Sequence, residues 1–367
     1  MVPPRPTDTM LRTDRLPLSE SAPLHDTLSL TLDSPRLPRG FLPDPLQDPQ
    51  LAALPQRTGF KLLDGCAIYS SLGRGGMGSV YRARDLAGEI DVAIKCLHPG
   101  CSRPAEARAR FERETQVGAQ LDHPNVVQVL RGGESHGVRF LVMEYVHGET
   151  LRERVQRRGA SSLGEAIGIT QRAARGLAAA HQGGLIHRDI KPANLMLGTA
   201  GEVKVCDLGL AKLQGSDVAL TLDRSVLGSP RYMAPEQWRD GRRAGPAADV
   251  FGLGATLYFL LAGEDGNQGK HLREIQEDTE QRGFPDLRLC NREVPAEVAQ
   301  VVARAVERDP ARRYADCASL ARALDTLAIG RETTLLHAGN ETRGALKQRL
   351  RPAPESLTTL GPGDFLR

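Results

Sequence analysis

The sequence predicts an α+β chain folded as two lobes, a small β-rich lobe followed by a larger helical one. Three observations predict it. Proline-rich, aperiodic stretches at both ends bracket a dense block of roughly 260 residues, which is long for a single core. Within that block, residues from Ile68 to Met143 carry their apolar side chains in short runs suited to strands. From Leu151 onward, apolar residues recur at helical spacing.

The elements follow in order. Ser79-Val80-Tyr81, Val92-Ala93-Ile94, Val126 to Val129, and Phe140 to Met143 read as strands, interrupted by a helix-like stretch over about 105–121. Ser162-x-x-Glu165 reads as a capping box ahead of a long helix reaching about Gln182. No repeat of 20–50 residues is present. Residues 1–60 hold 11 of the 24 prolines without periodicity. Such a segment buries too little apolar surface to offset its ordering entropy, so it is expected to be an extended, mobile arm. The same reading applies to a tail over 329–367, with Pro352, Pro354 and Pro362. The folded block is then 61–328, with lobes at about 61–146 and 147–328. Removing 1–60 is expected to leave it intact.

Composition excludes several classes. With 48 basic and 45 acidic residues the formal charge is +3, too small for a nucleic-acid footprint. The longest strongly apolar run, Val250 to Ala262, is too short to span a bilayer and contains Gly252 and Gly254. No charged-then-apolar leader opens the chain. Six cysteines without a CxxC fit a reducing compartment, so a cytoplasmic location is expected. Lysine occurs seven times against 41 arginines, so a lysine at a motif position carries more information than usual.

Chemistry begins at Gly73-Arg74-Gly75-Gly76-Met77-Gly78. Spaced glycines let a backbone turn approach phosphate oxygens without a Cβ clash. Alone this is a weak signal that a plain glycine-rich turn also satisfies. A strand-like segment follows it, where a dinucleotide fingerprint needs a helix, and no Gly-Lys-Ser/Thr follows for a Walker loop. Lys95 ends Val92-Ala93-Ile94-Lys95, 17 residues after Gly78, where a phosphate contact competes with an ordinary edge lysine. Glu114 is the candidate acid to hold it, unless it is simply a surface residue of the helix. The strongest segment is His187-Arg188-Asp189-Ile190-Lys191-Pro192-Ala193-Asn194. Its five fixed positions arise by chance in roughly one chain in 10⁴, at about one in twenty per position.

That segment resembles the catalytic loop of eukaryotic-like (Hanks-type) serine/threonine protein kinases, whose signature set also contains the glycine loop and strand lysine. Further matches come in the family's order: Asp207-Leu208-Gly209, Gly228 to Glu236, Asp249 to Gly254, and Asp309 to Tyr314, with Arg313 expected to pair with Glu236. The glycine loop and the Ala-Pro-Glu-Gln ending are similar to bacterial members. The resemblance covers about 66–328 and implies a bilobal protein-kinase-like fold that transfers the γ-phosphate of ATP to Ser/Thr hydroxyls of proteins, using Mg²⁺.

It also implies roles. Catalysis falls to Asp189, accepting the hydroxyl proton, with Lys191 on the γ-phosphate and Lys95, held by Glu114, on the α- and β-phosphates. Asn194 and Asp207 hold the metal. ATP is surrounded by Leu72, Gly73, Arg74, Gly75, Gly76, Met77, Gly78, Ser79, Val80, Ala93, Lys95, Met143, Glu144, Val146 and Met196. Arg188 beside Asp189 implies an activation loop ordered by phosphate, with Thr221 and Ser225 as candidate phosphosites. Protein substrates, no nucleic acid, no membrane span, and pairing of two copies for trans-autophosphorylation complete the expectation. Input would come through a partner, the proline-rich arm or phosphorylation. Three positions depart from the pattern: Leu208 stands for the commoner Phe, Gly118 falls where an apolar side chain is usual, and Gly263 to Phe284 lacks Pro-Pro-Phe. Leu208 and Gly118 speak for the alternative, a nucleotide-binding pseudokinase or scaffold, while the third departure bears on substrate docking. A small-molecule kinase is disfavoured by the Gly228–Glu236 segment, which shapes a protein-substrate platform.

Overall fold

Seven antiparallel strands build the first lobe: β1 Gln56–Arg57, β2 Phe60–Leu63, β3 Cys66–Gly75, β4 Gly78–Asp85, β5 Ile90–Leu97, β6 Val129–Ser135 and β7 Val138–Glu144, in the spatial order β1-β2-β3-β4-β5-β7-β6. These come from a computed structural model that describes residues 44–57, 59–75, 78–98, 115, 118–208, 230–240 and 244–328. Period-two alternation divides the sheet's side chains between two apolar clusters. Ile68, Tyr81, Val92, Ile94, Cys96 and Val142 point to the back; Ala93, Val129, Leu141 and Met143 point to the front, toward the second lobe. Lys95 lies on the front face by the same alternation, opposite Val80 across the β4–β5 ladder.

Two expectations need correction here. Val126 to Val129 is not a strand; β6 starts only at Val129. Val126 forms an isolated parallel bridge with Val205, and Val127 N–H donates to Val205 O at 2.9 Å. The apolar run is buried by this contact with the second lobe instead of by sheet neighbours. Residues 44–57, expected to belong to a mobile arm, are folded instead. Residues 44–57 form a strap across the back of the sheet, with a 3-10 turn at Pro49–Leu51, Leu51 and Leu54 buried in the back cluster, and Leu62 N–H bonded to Pro55 O at 2.8 Å. Pro49 starts the turn with its backbone already near helical φ. Two leucines three residues apart then suffice as an apolar face, too short to register as periodicity. Residues 1–43 and 329–367 lie outside the described residues.

The second lobe contains a small sheet, β8 Gly148–Thr150, β9 Leu195–Gly198 and β10 Val203–Val205, ordered β10-β9-β8. Its helices are α1 Leu151–Arg158, α2 Leu163–Gln182, α3 Pro235–Asp240, α4 Pro246–Ala262, α5 Leu272–Glu277, α6 Leu287–Cys290, α7 Ala296–Ala305 and α8 Cys317–Ala328. Helix α4 is buried almost all round, as its uniform hydrophobicity demands. It runs directly beneath the loop at 187–194, and Gly252 is what allows this: a Cβ there would stand 2.7 Å from Ile190 O. The capping-box expectation at Ser162 is half met. Ser162 Oγ accepts from Glu165 N at 3.4 Å, but Glu165 spends its carboxylate on Arg154. The reciprocal box forms at α1, where Glu153 N–H donates to Thr150 Oγ1 at 3.2 Å and Thr150 N–H donates to Glu153 Oε2 at 2.8 Å.

Candidate active site

The loop at 187–194 is positioned from below by one carboxylate. Asp249, sealed in the first turn of α4, accepts from His187 N–H at 2.9 Å, Arg188 N–H at 2.7 Å and His181 Nε2 at 2.8 Å. Arg188 has φ +62°, a conformation an arginine rarely adopts, and Gln237 Nε2 also holds its carbonyl at 2.9 Å. His187 is 1% exposed, with Nε2 2.7 Å from Cys206 O and Nδ1 3.3 Å from Asp189 N. One neutral tautomer satisfies both contacts: Nε2–H donates to the carbonyl, and Nδ1 accepts from the amide. His187 is thus a strut between two loops.

Above this floor sit the polar groups. Lys191 Nζ donates to Asp189 Oδ2 at 2.9 Å, and Asn194 Nδ2 donates to Asp189 O at 2.8 Å and Oδ2 at 3.2 Å. Cys206 N–H bonds Asn194 O at 2.9 Å, which brings Asp207 beside the loop. Asp207, at φ +57°, accepts at Oδ1 from Lys95 Nζ at 2.8 Å. The side chains of Asp189 and Asp207 remain 30% and 35% exposed, so both carboxylates face an open cleft while Asp249 does not. Crowding by neighbouring atoms pushes the Asp207 carboxyl up, but the charge and hydrogen bond of Lys95 outweigh this and hold it below the usual range. Burial, then the charges of Asp207 and Glu144, raise the Cys206 thiol far above its ordinary value, so it stays protonated.

The apolar part of the cleft is one cluster. Leu72, Val80, Ala93, Met143, Val146, Met196 and Cys206 come together there, joined by Val127, Leu141 and Tyr145. Gly73, Arg74 and Gly75 follow Leu72 on β3, and Gly75 pairs with Gly78 where β4 begins. Ser79 turns its side chain to the same strand face as Tyr81, away from Val80. Glu144 also turns its side chain away, accepting at Oε1 from Lys204 Nζ at 2.7 Å and Gln128 N–H at 2.8 Å. Its own N–H is bonded to Gln128 O at 3.0 Å. Leu208 is buried in the helical-lobe core. Gly76, Met77, Glu114, Thr221 and Ser225 lie outside the described residues.

Among the described residues no cluster of three or more His, Cys, Asp or Glu could cage a metal. The donors at hand, the Asp207 carboxylate and the Asn194 amide oxygen, are the few hard oxygens that Mg²⁺ takes when phosphates and water complete its shell. The residues fit that ion.

The segment from Pro230 to Glu236 is fixed by ion pairs and hydrogen bonds from arginines. Arg313, with no side-chain exposure, forks onto Glu236 at 2.7 and 2.8 Å, the pair the resemblance implies. Arg231 donates to Asn267 O at 2.5 Å and Gly269 O at 2.8 Å, and Arg152 bridges Tyr232 Oη at 2.8 Å and Asp265 Oδ1 at 2.9 Å. The 263–284 region is therefore built onto this segment, which sequence reasoning missed. A separate cleft of about 520 Å³, between Tyr258, Phe284, Leu287 and Val302, shares no residue with the polar set.

Comparisons place this geometry. The model of the protein kinase domain family matches residues 66–324. Among curated proteins, the chain is 37% identical over 247 residues to serine/threonine-protein kinase PrkC of Bacillus subtilis, covering 67% of this chain and 38% of that protein. It is 36% identical over 271 residues to serine/threonine-protein kinase PknB of Mycobacterium leprae, covering 71% and 42%. The chain thus spans about two-fifths of the length of these relatives. Among solved structures, the PknI kinase domain of Mycobacterium tuberculosis superposes with TM-score 0.59 at 28% identity, over 75% of this chain and 100% of that one. The sheet lobe, the helical lobe and the cleft between them are those of that fold, and the chain belongs to the protein kinase domain family, with bacterial Hanks-type serine/threonine kinases as its relatives.

Proposed function

We propose that this chain is an ATP-dependent serine/threonine protein kinase. One observation carries the reading: a partly exposed Asp189 carboxylate, held between Lys191 and Asn194 on a backbone pinned by buried Asp249. Phosphoryl transfer leaves little covalent work to the protein, so catalysis is positioning and charge stabilisation. The acceptor hydroxyl oxygen forms a bond to the γ-phosphorus, the bond from that phosphorus to the β–γ bridging oxygen breaks, and ADP leaves. The hydroxyl proton passes to Asp189. Lys191 steadies the γ-phosphate oxygens and favours Ser/Thr over Tyr acceptors. Lys95 leaves Asp207 Oδ1 for the α- and β-phosphates, assisted by Glu114. Asn194 and Asp207 would hold Mg²⁺, which would supply charge neutralisation at the phosphate oxygens. Adenine lies between Val80 and Ala93 with Met143 behind, its edge read by the Glu144 carbonyl and the Val146 backbone, while Gly73, Gly75 and Gly78 cover the phosphates.

The reading extends to regulation. Phosphate on Thr221 or Ser225 would pair with Arg188 and order the loop before Pro230. Among the described residues no helix is long and apolar enough to cross a membrane; a cytoplasmic location, protein substrates, no nucleic-acid role and trans-autophosphorylation between two copies belong to the same proposal. So does a kinase domain over 61–328, now preceded by the strap. Labelled ATP with Mg²⁺ and a mixed protein acceptor, followed by acid hydrolysis, tests it. Label appears as phosphoserine or phosphothreonine; label confined to phosphotyrosine or to added small molecules overturns it.

A further inference from the structure

The strap at 44–57 precedes the residues matched by the family model, yet it reaches the nucleotide strands from behind. Asp48 Oδ1 accepts from Gln50 N–H at 2.9 Å, and its other oxygen accepts from Tyr81 Oη–H at 2.6 Å. Gln50 Nε2 donates to Cys96 O at 2.7 Å. Tyr81 follows Val80 and Cys96 follows Lys95, the two front-facing residues that pair across β4 and β5. Gly78 packs directly on the same Cys96 carbonyl: a Cβ on Gly78 would lie 2.2 Å from it. Strap, third glycine and strand lysine therefore converge on one peptide group.

Covering apolar surface needs only the strap's leucines. A carboxylate that is 2% exposed and a primary amide add a desolvation cost, which hydrogen bonds to specific partners offset. Two of those partners, Tyr81 Oη and Cys96 O, lie on the strands that carry the nucleotide contacts, while Gln50 Oε1 is buried without a partner.

We propose that Gln50 and Asp48 are positioning residues of the nucleotide site: they set the height of the β5 carbonyl on which Gly78 rests, and so the distance of Gly78 from Lys95. The inference rests on assigning the Gly73–Gly78 turn and Lys95 to ATP. It acts through strands β4 and β5, with no contact between the strap and the nucleotide.

The test compares full-length wild type with Gln50→Leu, which removes the donor and keeps bulk, and Tyr81→Phe, which deletes the hydroxyl that Asp48 receives. Val138→Ala, a packing change in the same back cluster on β7, is the control. KM for ATP and kcat are measured beside melting temperature. Gln50→Leu and Tyr81→Phe are expected to raise KM roughly 3- to 10-fold, the worth of one hydrogen bond, with kcat within about 2-fold. Val138→Ala lowers the melting temperature and leaves KM unchanged. An unaltered KM in folded Gln50→Leu, or an equal rise in Val138→Ala, overturns the inference; should Gln50→Leu not fold, Tyr81→Phe decides on the same criterion. Lys95→Met separates the two levels. If that variant keeps wild-type KM and transfer, the nucleotide assignment itself fails; if it loses transfer while Gln50→Leu is silent, only the strap's role fails.

Discussion

Replacing Asp249 tests whether one buried carboxylate holds the catalytic loop. Asp249→Ala strips the acceptor from two backbone amides, at His187 and Arg188, and from His181 Nε2. Each buried amide left without a partner costs about 1–3 kcal/mol, so the two amides together cost about 2–6 kcal/mol. That is a large share of the roughly 5–15 kcal/mol that keeps a domain folded. At about 2–4 °C per kcal/mol for a domain of this size, the melting temperature falls by roughly 4–24 °C. Asp249→Asn keeps one acceptor oxygen but turns an NH₂ toward the other amide, so it costs about half as much. Its larger effect is on rate. Arg188 sits at φ +62° because Asp249 and Gln237 hold its two sides. Relaxing it displaces Asp189, and a shift of about 1 Å at such a group lowers turnover about 10²-fold. Calorimetric melting and steady-state transfer on the same preparations give both numbers. An alanine variant melting within about 1 °C of wild type, with turnover within about 2-fold, would refute the reasoning, because the amides would then need no acceptor.

Other consequences follow from the same contacts. Arg313→Ala leaves Glu236 without its forked partner and should cost about 3–5 kcal/mol, read as a lowered urea midpoint; Arg313→Lys should recover only part, since an ammonium cannot make the fork. An unchanged midpoint in Arg313→Ala would show that the pair contributes nothing. The Cys206 thiol is raised by burial and by Asp207 and Glu144, so at pH 8 it remains protonated and unreactive, and iodoacetamide should modify exposed Cys290 first. Peptide mapping that finds equal rates contradicts that environment. Deleting 1–57 removes Leu51 and Leu54 from the back cluster, a loss of about 3–6 kcal/mol by burial alone, whereas a chain beginning at residue 44 retains both. Equal melting temperatures for the two truncations would show that the strap contributes no stability.

How far the sequence could be read depended on where each contact's partners lie along the chain. His187 to Asn194 was legible because transfer chemistry needs those residue types at fixed local spacing; the structure hangs the His187 and Arg188 amides on Asp249 and brings Lys191 and Asn194 onto Asp189. The strands at Val80, Ala93 and Met143 were legible as short apolar runs, and the period-two alternation of a strand then places these three residues on one face. What escaped were pairs far apart in sequence: Lys204 with Glu144, 60 residues apart, and Arg152 with Asp265, 113 apart, which no local pattern announces. Thr150-x-x-Glu153 and Ser162-x-x-Glu165 carry the same capping signature; the second stays open because Arg154 competes for Glu165. The strap escaped for a third reason. Its apolar face is two leucines in a proline-started turn, below the length at which periodicity can be recognised.

The most direct test of the central claim is Asp189→Asn, measured for ATP affinity and for phosphate transfer on the same protein. Asparagine keeps the side chain's shape and one acceptor for Lys191 and Asn194, but it cannot take the hydroxyl proton. The account predicts ATP affinity within about 3-fold of wild type and transfer lowered by roughly 10²–10⁴. Near-normal transfer by Asp189→Asn would contradict it, since the proton would then be leaving by another route.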